Sequence, residues 1–377
     1  MRWSAIFGYS RGTRSGTHVV GFRVAAVVST CLLLTSPSLA SGRGKRQHDN
    51  PPAGRQELVA LAGGRRLDFL RMFSSESDLS ARRSFWKRVL DIVAGPPEFH
   101  HLVRPYSITV DSHGRVLVTD PGDLAVHVFD FEKKKYWRME AGKHGERFRS
   151  PIGIAVDGED NIYVTDSALG KIFVFDARGK FRRYIGAISD REGFFKRATG
   201  IAIDKQRGEV FVTDTLRDKI FVMDLEGNHL REFGARGAGP GEFNFPTEVV
   251  LRGDEVFVVD AMNFRVQILD RQGRFRAQFG RQGDSVGSIF RPKGLGVDSE
   301  GNIHLVDGLF ETVQVFDRLG ALLYYFGHAG GAFAEFQLPS GLWIDGDDRI
   351  YVADSYNHRV QVFEFVNARR AASGKPQ

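Results

Sequence analysis

Cysteine is almost absent from this chain of 377 residues, because Cys31 is the only one. The body of the chain therefore has no disulfide framework, no catalytic thiol and no Cys-X-X-Cys-His site for covalent haem. Apolar runs long enough to cross a bilayer are also missing beyond residue 40. We expect a soluble mature product, no resident cofactor and no thiol chemistry.

A large charge of one sign is missing as well. The formal net charge is +6, but residues 1–40 hold four arginines and no acidic residue, which leaves about +2 for the rest. Residues 41–91 are basic and the remainder is slightly acidic, so the body of the chain offers no net attraction for phosphate. Nucleic acid is not an expected partner.

The N-terminal 40 residues have the pattern of a secretory signal. Four arginines precede the apolar stretch Val24 to Leu34, and small residues stand before a cleavage point after Ala40. We expect a cleaved signal over 1–40 and a periplasmic or secreted product. The alternative is a lipid anchor at Cys31, where Thr30 departs from the usual small residue. Without that anchor, membrane contact would come only through a partner.

Apolar runs return in a repeated pattern, with a period of about 46 to 48 residues. Six copies begin at Pro105, Pro151, Ala198, Pro246, Pro292 and Pro339. The runs are short, rich in Val, Ile and Phe, and bounded by Gly, Asp or Asn, which favours strands over helices. Three such runs and a fourth outer run in each copy predict one four-stranded antiparallel blade. The expected fold is all-β, a six-bladed β-propeller.

The last copy supplies only three strands, so an N-terminal strand must close the ring. Gly64 to Phe73 copies the turn glycine and the outer strand of the other units and is the first candidate. Arg88 to Gly95 is the second candidate. Against it, apolar residues follow one face of a short helix that we predict over residues 80–93, before blade 1.

The expected organisation follows from these patterns and from the polar composition of the remaining segments. It comprises a signal peptide (1–40), a flexible leader (41–63), the closing strand with a short helix (64–99), the propeller (100–366) and a polar tail (367–377).

Several runs match a known repeat closely. Ser355-Tyr356-Asn357-His358-Arg359-Val360-Gln361-Val362-Phe363, and the Gly-Ile-Ala-Val-Asp run at 153–157, resemble the NHL repeat over roughly residues 100–366. The resemblance implies a six-bladed propeller with four strands in each blade. It implies no single function, because propellers host lyases, lactonases, RNA binders and adaptors alike.

Comparison of equivalent positions separates residues that serve every blade from residues that occur in one. An aspartate ends the second strand of every copy, where a carboxylate satisfies backbone N–H groups of a turn. We expect these residues to be structural turn caps: Asp120, Asp166, Asp214, Asp260, Asp307 and Asp354.

Glu248 departs from its position in the repeat, where four other copies carry glycine. It heads the innermost strand, so we place it at the channel mouth. A calcium site needs several converging oxygen ligands and a zinc site several histidines, and neither set is evident. We expect no metal. A calcium- or zinc-dependent hydrolase or lyase at this mouth remains the alternative function.

The loops between second and third strands are rich in apolar residues, which either fold inward or form an interaction face. The predicted face comprises Leu169, Leu216, Met262, Phe264, Leu309, Phe310 and Tyr356. We therefore expect an exported, monomeric, non-catalytic scaffold that binds a protein partner. Resemblance to bacterial propellers with proline-rich leaders implies an exported redox or cytochrome assembly as that partner.

Overall fold

The computed structural model describes residues 55–79, 99–140, 142, 145–186 and 193–373. The predicted signal, the helix over 80–93 and the alternative closing strand Arg88 to Gly95 lie outside these residues. In the part described, no helix has the length and apolar character needed to cross a membrane.

Short apolar runs form antiparallel sheets of four strands in blades 1 to 5, as predicted, and the strands of these five sheets follow chain order. Blade 1 comprises β3 (Ile108–Val110), β4 (Val116–Asp120), β5 (Ala125–Asp130) and β6 (Lys135–Met139). Blade 2 comprises β7 (Pro151–Val156), β8 (Ile162–Asp166), β9 (Lys171–Phe175) and β10 (Phe181–Ile185). Blade 3 comprises β11 (Ala198–Asp204), β12 (Glu209–Asp214), β13 (Lys219–Asp224) and β14 (His229–Phe233). Blade 4 comprises β15 (Pro246–Arg252), β16 (Glu255–Asp260), β17 (Arg265–Asp270) and β18 (Phe275–Phe279). Blade 5 comprises β19 (Pro292–Val297), β20 (Ile303–Asp307), β21 (Thr312–Phe316) and β22 (Leu322–Phe326).

Blade 6 combines both ends of the described chain. Its C-terminal strands are β23 (Leu342–Ile344), β24 (Arg349–Asp354) and β25 (Arg359–Val366). β2 (Arg66–Phe73) pairs antiparallel with β25, which confirms closure by an N-terminal strand and identifies the first candidate as that strand.

Two segments differ from the predicted organisation. The end of the predicted flexible leader forms β1 (Gln56–Ala60), a fifth strand that pairs with β2. Leu58 and Val59 pack there against the core of blade 6, and this burial offsets the cost of ordering the segment. The predicted polar tail contains α1 (Ala368–Ser373), and no α-helix precedes blade 1 among the described residues. Short 3₁₀ turns cover Ala62–Gly64, Glu76–Leu79, Ala261–Asn263 and Ser355–Asn357.

The innermost strands contact one another in the closed order β3, β7, β11, β15, β19, β23 and back to β3. Neighbouring strands approach closely where the repeat carries glycine. A Cβ on Gly153 would lie 2.2 Å from the carbonyl oxygen of Thr199, and one on Gly341 would lie 2.2 Å from that of Tyr106. These glycines therefore permit the narrow channel at the centre of the ring.

One position, three residues before each blade opening, repeatedly supplies a buried side chain between blades. Phe148, Phe243 and Phe336 are fully buried there. At two junctions, Phe195 and Ile289 fill this position, and the phenylalanines next to them, Phe194 and Phe290, do not. Phe290 is instead 40% exposed.

Candidate functional site

One end of the propeller carries the segments that enter each blade and the turns between second and third strands. First and second strands are antiparallel, so Pro151 pairs with Asp166 and Pro246 with Asp260. The segment entering each blade therefore lies beside the turn between its second and third strands. We call this end the loop face. The turns between first and second strands, and between third and fourth strands, form the opposite face.

The six repeated aspartates are fully buried beneath the loop face. Asp166 accepts hydrogen bonds from the backbone N–H groups of Arg149 (2.7 Å) and Leu169 (3.0 Å), and so joins the entry segment to the turn. In blades 4 and 6, arginine side chains also take part, since Arg265 and Arg359 each donate from Nε at 2.7 Å. The carboxylates thus hold loops and do not form a metal-binding ring.

The predicted interaction face divides according to position within the turn. Every turn ends on a residue with positive φ, and the residue two places earlier is exposed. Blades 3 to 6 carry at that place an apolar side chain that is 47 to 54% exposed: Leu216, Met262, Leu309 and Tyr356. We call this set the apolar arc.

The other three predicted face residues occupy different places in the turn. Leu169 is only 7% exposed because it packs into the core of blade 2. Phe264 and Phe310 are half-buried, and the ring of Phe264 lies 6.1 Å from that of Phe290. The sequence prediction grouped residues from three positions of the turn, and the side chains at these positions point in different directions.

Glu248 lies inside the channel, below the loop-face mouth where we had placed it. It lines a cavity of about 230 Å³ with Ile154, Ile201 and other apolar residues. Burial raises the pKa of Glu248 to about 8, although the backbone N–H of Val249 donates to its Oε1 at 3.0 Å and opposes the rise. The carboxyl group is therefore largely protonated at neutral pH.

Metal ligands do not surround Glu248. Among the described residues, one cluster has side chains spaced for a metal ion, namely Asp111, His113 and Asp160 on the opposite face. Asp160 already accepts hydrogen bonds from Ser112 of the previous blade, at 2.5 Å from its Oγ. Asp348 binds Ser299 in the same way at 2.6 Å, which marks this contact as a link between blades.

The mouth itself is cationic, a feature that the sequence analysis missed. A cavity of about 380 Å³ opens on the loop face, and its lining includes Arg104, Arg197, Arg291, Lys293 and Tyr106. Burial, followed by the charge of Glu248, raises the pKa of Tyr106, while the three arginines oppose the rise. All three guanidinium groups therefore lie close enough to Tyr106 for their charges to affect its hydroxyl group.

Comparing the six copies at the residue immediately before each blade opening would have revealed these arginines. That position reads Arg104, Ser150, Arg197, Phe245, Arg291 and Leu338 along the chain. The net charge of the propeller concealed the pattern, because a sum over the whole segment does not show where a few cations meet.

Comparison with known proteins agrees with the architecture. The model of the NHL repeat matches residues 336–363, and a model described as a 6-bladed beta-propeller matches residues 199–255. No curated protein matches the sequence.

Solved structures share the fold at low sequence identity. Virginiamycin B lyase from Staphylococcus aureus is 14% identical with a TM-score of 0.51, over 70% of this chain and 95% of that one. An auxiliary nutrient binding protein from Bacteroides thetaiotaomicron is 14% identical with a TM-score of 0.54, over 70% and 69%. Kuenenia stuttgartiensis hydrazine synthase is 15% identical with a TM-score of 0.50, over 71% and 97%.

These similarities establish the fold and leave function to the site. With six blades and closure by an N-terminal strand, this chain is a six-bladed β-propeller, and its residues 336–363 match the NHL repeat.

Proposed function

We propose that this protein is an exported, non-catalytic scaffold that binds a protein partner through the apolar arc. The observation that carries the proposal is that four consecutive blades present an apolar side chain, about half exposed, at the same place on one face. Single exposed apolar residues are common on protein surfaces, but a repeated set on one face is typical of an interaction site.

Comparison of the six blades at this place in the turn supports a role for the apolar arc other than folding. Blades 1 and 2 carry Gly122 and Ala168 at the equivalent place and still form complete four-stranded sheets. A large apolar side chain is thus not required there to build a blade. Phe290 lies exposed on the same face and enlarges the apolar surface between blades 4 and 5.

The partner class in this proposal is an exported redox or cytochrome assembly. Its support is the resemblance of the leader and propeller to bacterial proteins of that kind. A captured partner of this class would carry the absorption bands of haem, which distinguishes it from other proteins.

The test compares two double variants of equal apolar loss. Met262→Ser with Leu309→Ser removes the centre of the arc, whereas Leu230→Ser with Leu319→Ser removes exposed leucines away from the loop face. A photoreactive residue at position 262, and one at position 319 as control, are crosslinked in cells of the native host. We expect a crosslinked partner only from position 262, and affinity weakened at least about tenfold by the arc variant alone.

Two results would contradict the proposal. One is equal binding by both double variants, and the other is the absence of any specific crosslink from position 262. Circular dichroism of both variants confirms folding before either result is interpreted.

A further inference from the structure

The arginines of the mouth alternate around the channel. Arg104, Arg197 and Arg291 belong to blades 1, 3 and 5, and the even blades carry uncharged residues at the same place. Since the innermost strands form a closed ring of six, alternate blades are about 120° apart around the axis. The three side chains therefore approach the cavity from three sides.

The backbone of each arginine is held by a buried carboxylate of its own blade. The N–H of Arg104 donates to Asp120 at 2.9 Å, that of Arg197 to Asp214 at 3.0 Å and that of Arg291 to Asp307 at 3.2 Å. The turn caps thus fix the positions from which the guanidinium groups extend, which reduces the ordering cost of binding a ligand.

No acidic side chain neutralises these cations in the described parts of the chain, where Arg104, Arg197, Arg291 and Lys293 form no ion pair. Burial lowers the pKa of Lys293, and the charges of Arg291 and Arg197 lower it further. Like charges converge on the cavity, so a bound anion would relieve their repulsion.

We propose that the cationic mouth binds a small organic anion that carries two or three carboxylate or phosphate groups. Guanidinium groups bind both kinds of group through paired hydrogen bonds. A cavity of about 380 Å³ falls within the usual range for small-molecule sites and is much larger than a single inorganic ion requires. Multiple negative charges match cations that approach from several sides.

The site and the protein-docking surface share one residue, because Tyr356 of the apolar arc also lines the cavity, but Met262 and Leu309 do not line it. The two proposals can therefore be tested separately with variants at Met262 and Leu309. The Met262→Ser and Leu309→Ser double variant is expected to keep its anion affinity. Loss of docking with retained anion binding, or the reverse, therefore shows which of the two proposals fails.

Isothermal titration of the purified protein at constant ionic strength tests the site. The probes are citrate, a tricarboxylate, and pyrophosphate, with acetate as the singly charged control. We expect citrate or pyrophosphate to bind more tightly than acetate, and the tighter of the two identifies the anionic group that the mouth favours. Arg197→Gln and Arg291→Gln are each expected to weaken that binding about tenfold.

Lys196→Gln is the matched control, since Lys196 is an exposed cation beside Arg197 that does not line the cavity. Its substitution is expected to change affinity by less than about twofold. The proposal is overturned if no probe binds at millimolar concentration, if acetate binds as tightly as the polyanions, or if Lys196→Gln weakens binding as much as Arg197→Gln. Thermal unfolding of each variant separates a binding loss from a folding loss.

Discussion

Glu248 places a carboxyl group at a level of the channel where the other blades carry Ser107 and four glycines. Its environment consists mainly of apolar side chains, so the charged form is disfavoured and the group behaves differently from the aspartates of the turns. A carboxyl group therefore has different roles in different surroundings. Its position within the fold distinguishes this carboxyl, whose pKa is raised, from the carboxylates that hold the loops.

The pH dependence of stability follows from Glu248. Its carboxyl titrates near its ordinary pKa of 4.5 in the unfolded chain and at about 8 in the folded protein. The folded state thus binds more protons over this interval, and the group lowers the free energy of unfolding as pH rises through it. We expect Glu248→Gln to gain stability relative to wild type by a few kcal/mol between these limits, measured by urea unfolding.

Glu226→Gln, an exposed glutamate in a turn, is the control for that series. A constant difference between wild type and Glu248→Gln across the pH range would show that the carboxyl is not protonated in the folded channel.

At the scale of elements, β2 joins the two ends of the described chain into one sheet. Phe69 of this strand is fully buried and packs against Phe333 and Phe363, with ring centroids 5.5 and 5.7 Å apart. An N-terminal residue therefore belongs to the core of the last blade. Closure also removes a free strand edge on β25, which would otherwise be open to pairing with other chains.

Truncation of Phe69 measures the strength of this closure. Phe69→Ala is expected to lower the free energy of unfolding by about 3–5 kcal/mol, through lost burial and the cavity that remains. Phe275→Ala removes the same side chain from an exposed place on the outer strand β18 and is expected to cost about 1 kcal/mol or less. Equal losses in urea unfolding would mean that β2 does not contribute to the stable core.

At the scale of the whole molecule, the ring is closed by contacts between successive innermost strands. The Oγ1 of Thr165 in blade 2 donates to the carbonyl oxygen of Thr199 in blade 3 at 2.7 Å, directly beside Gly153. Ser340 and Ser355 of blade 6 donate to carbonyl oxygens of blade 1 in a similar way. Blade junctions therefore depend on backbone contacts at close range.

A methyl group at such a junction should separate the blades. Gly153→Ala would place a Cβ against the Thr199 carbonyl, so we expect a loss of at least about 2 kcal/mol in unfolding free energy. Gly158→Ala, in a turn of the same blade with no atom near the added methyl, is expected to be close to neutral. A neutral result for Gly153→Ala in chemical unfolding would show that the ring adjusts at little cost.

The sequence by itself determined the number of blades, the four repeated strands of each blade and the need for a closing strand from the N-terminal segment, whereas the pairing of β2 with β25 identified that strand. The first three of these features depend on local periodicity, turn residues and the count of strands in the last copy, all of which are visible without coordinates. The buried aspartates could be recognised in the same way, since a residue present in every copy serves the blade.

Only the tertiary structure decided which loop residues reach solvent and which charges meet. Leu169 and Leu216 look alike in sequence, but their places in the turn direct one into the core and the other outward. Arg104, Arg197 and Arg291 are separated by about two blades each along the chain, and only ring closure brings them to one cavity. Convergence of this kind depends on contacts between distant segments, which local patterns do not encode.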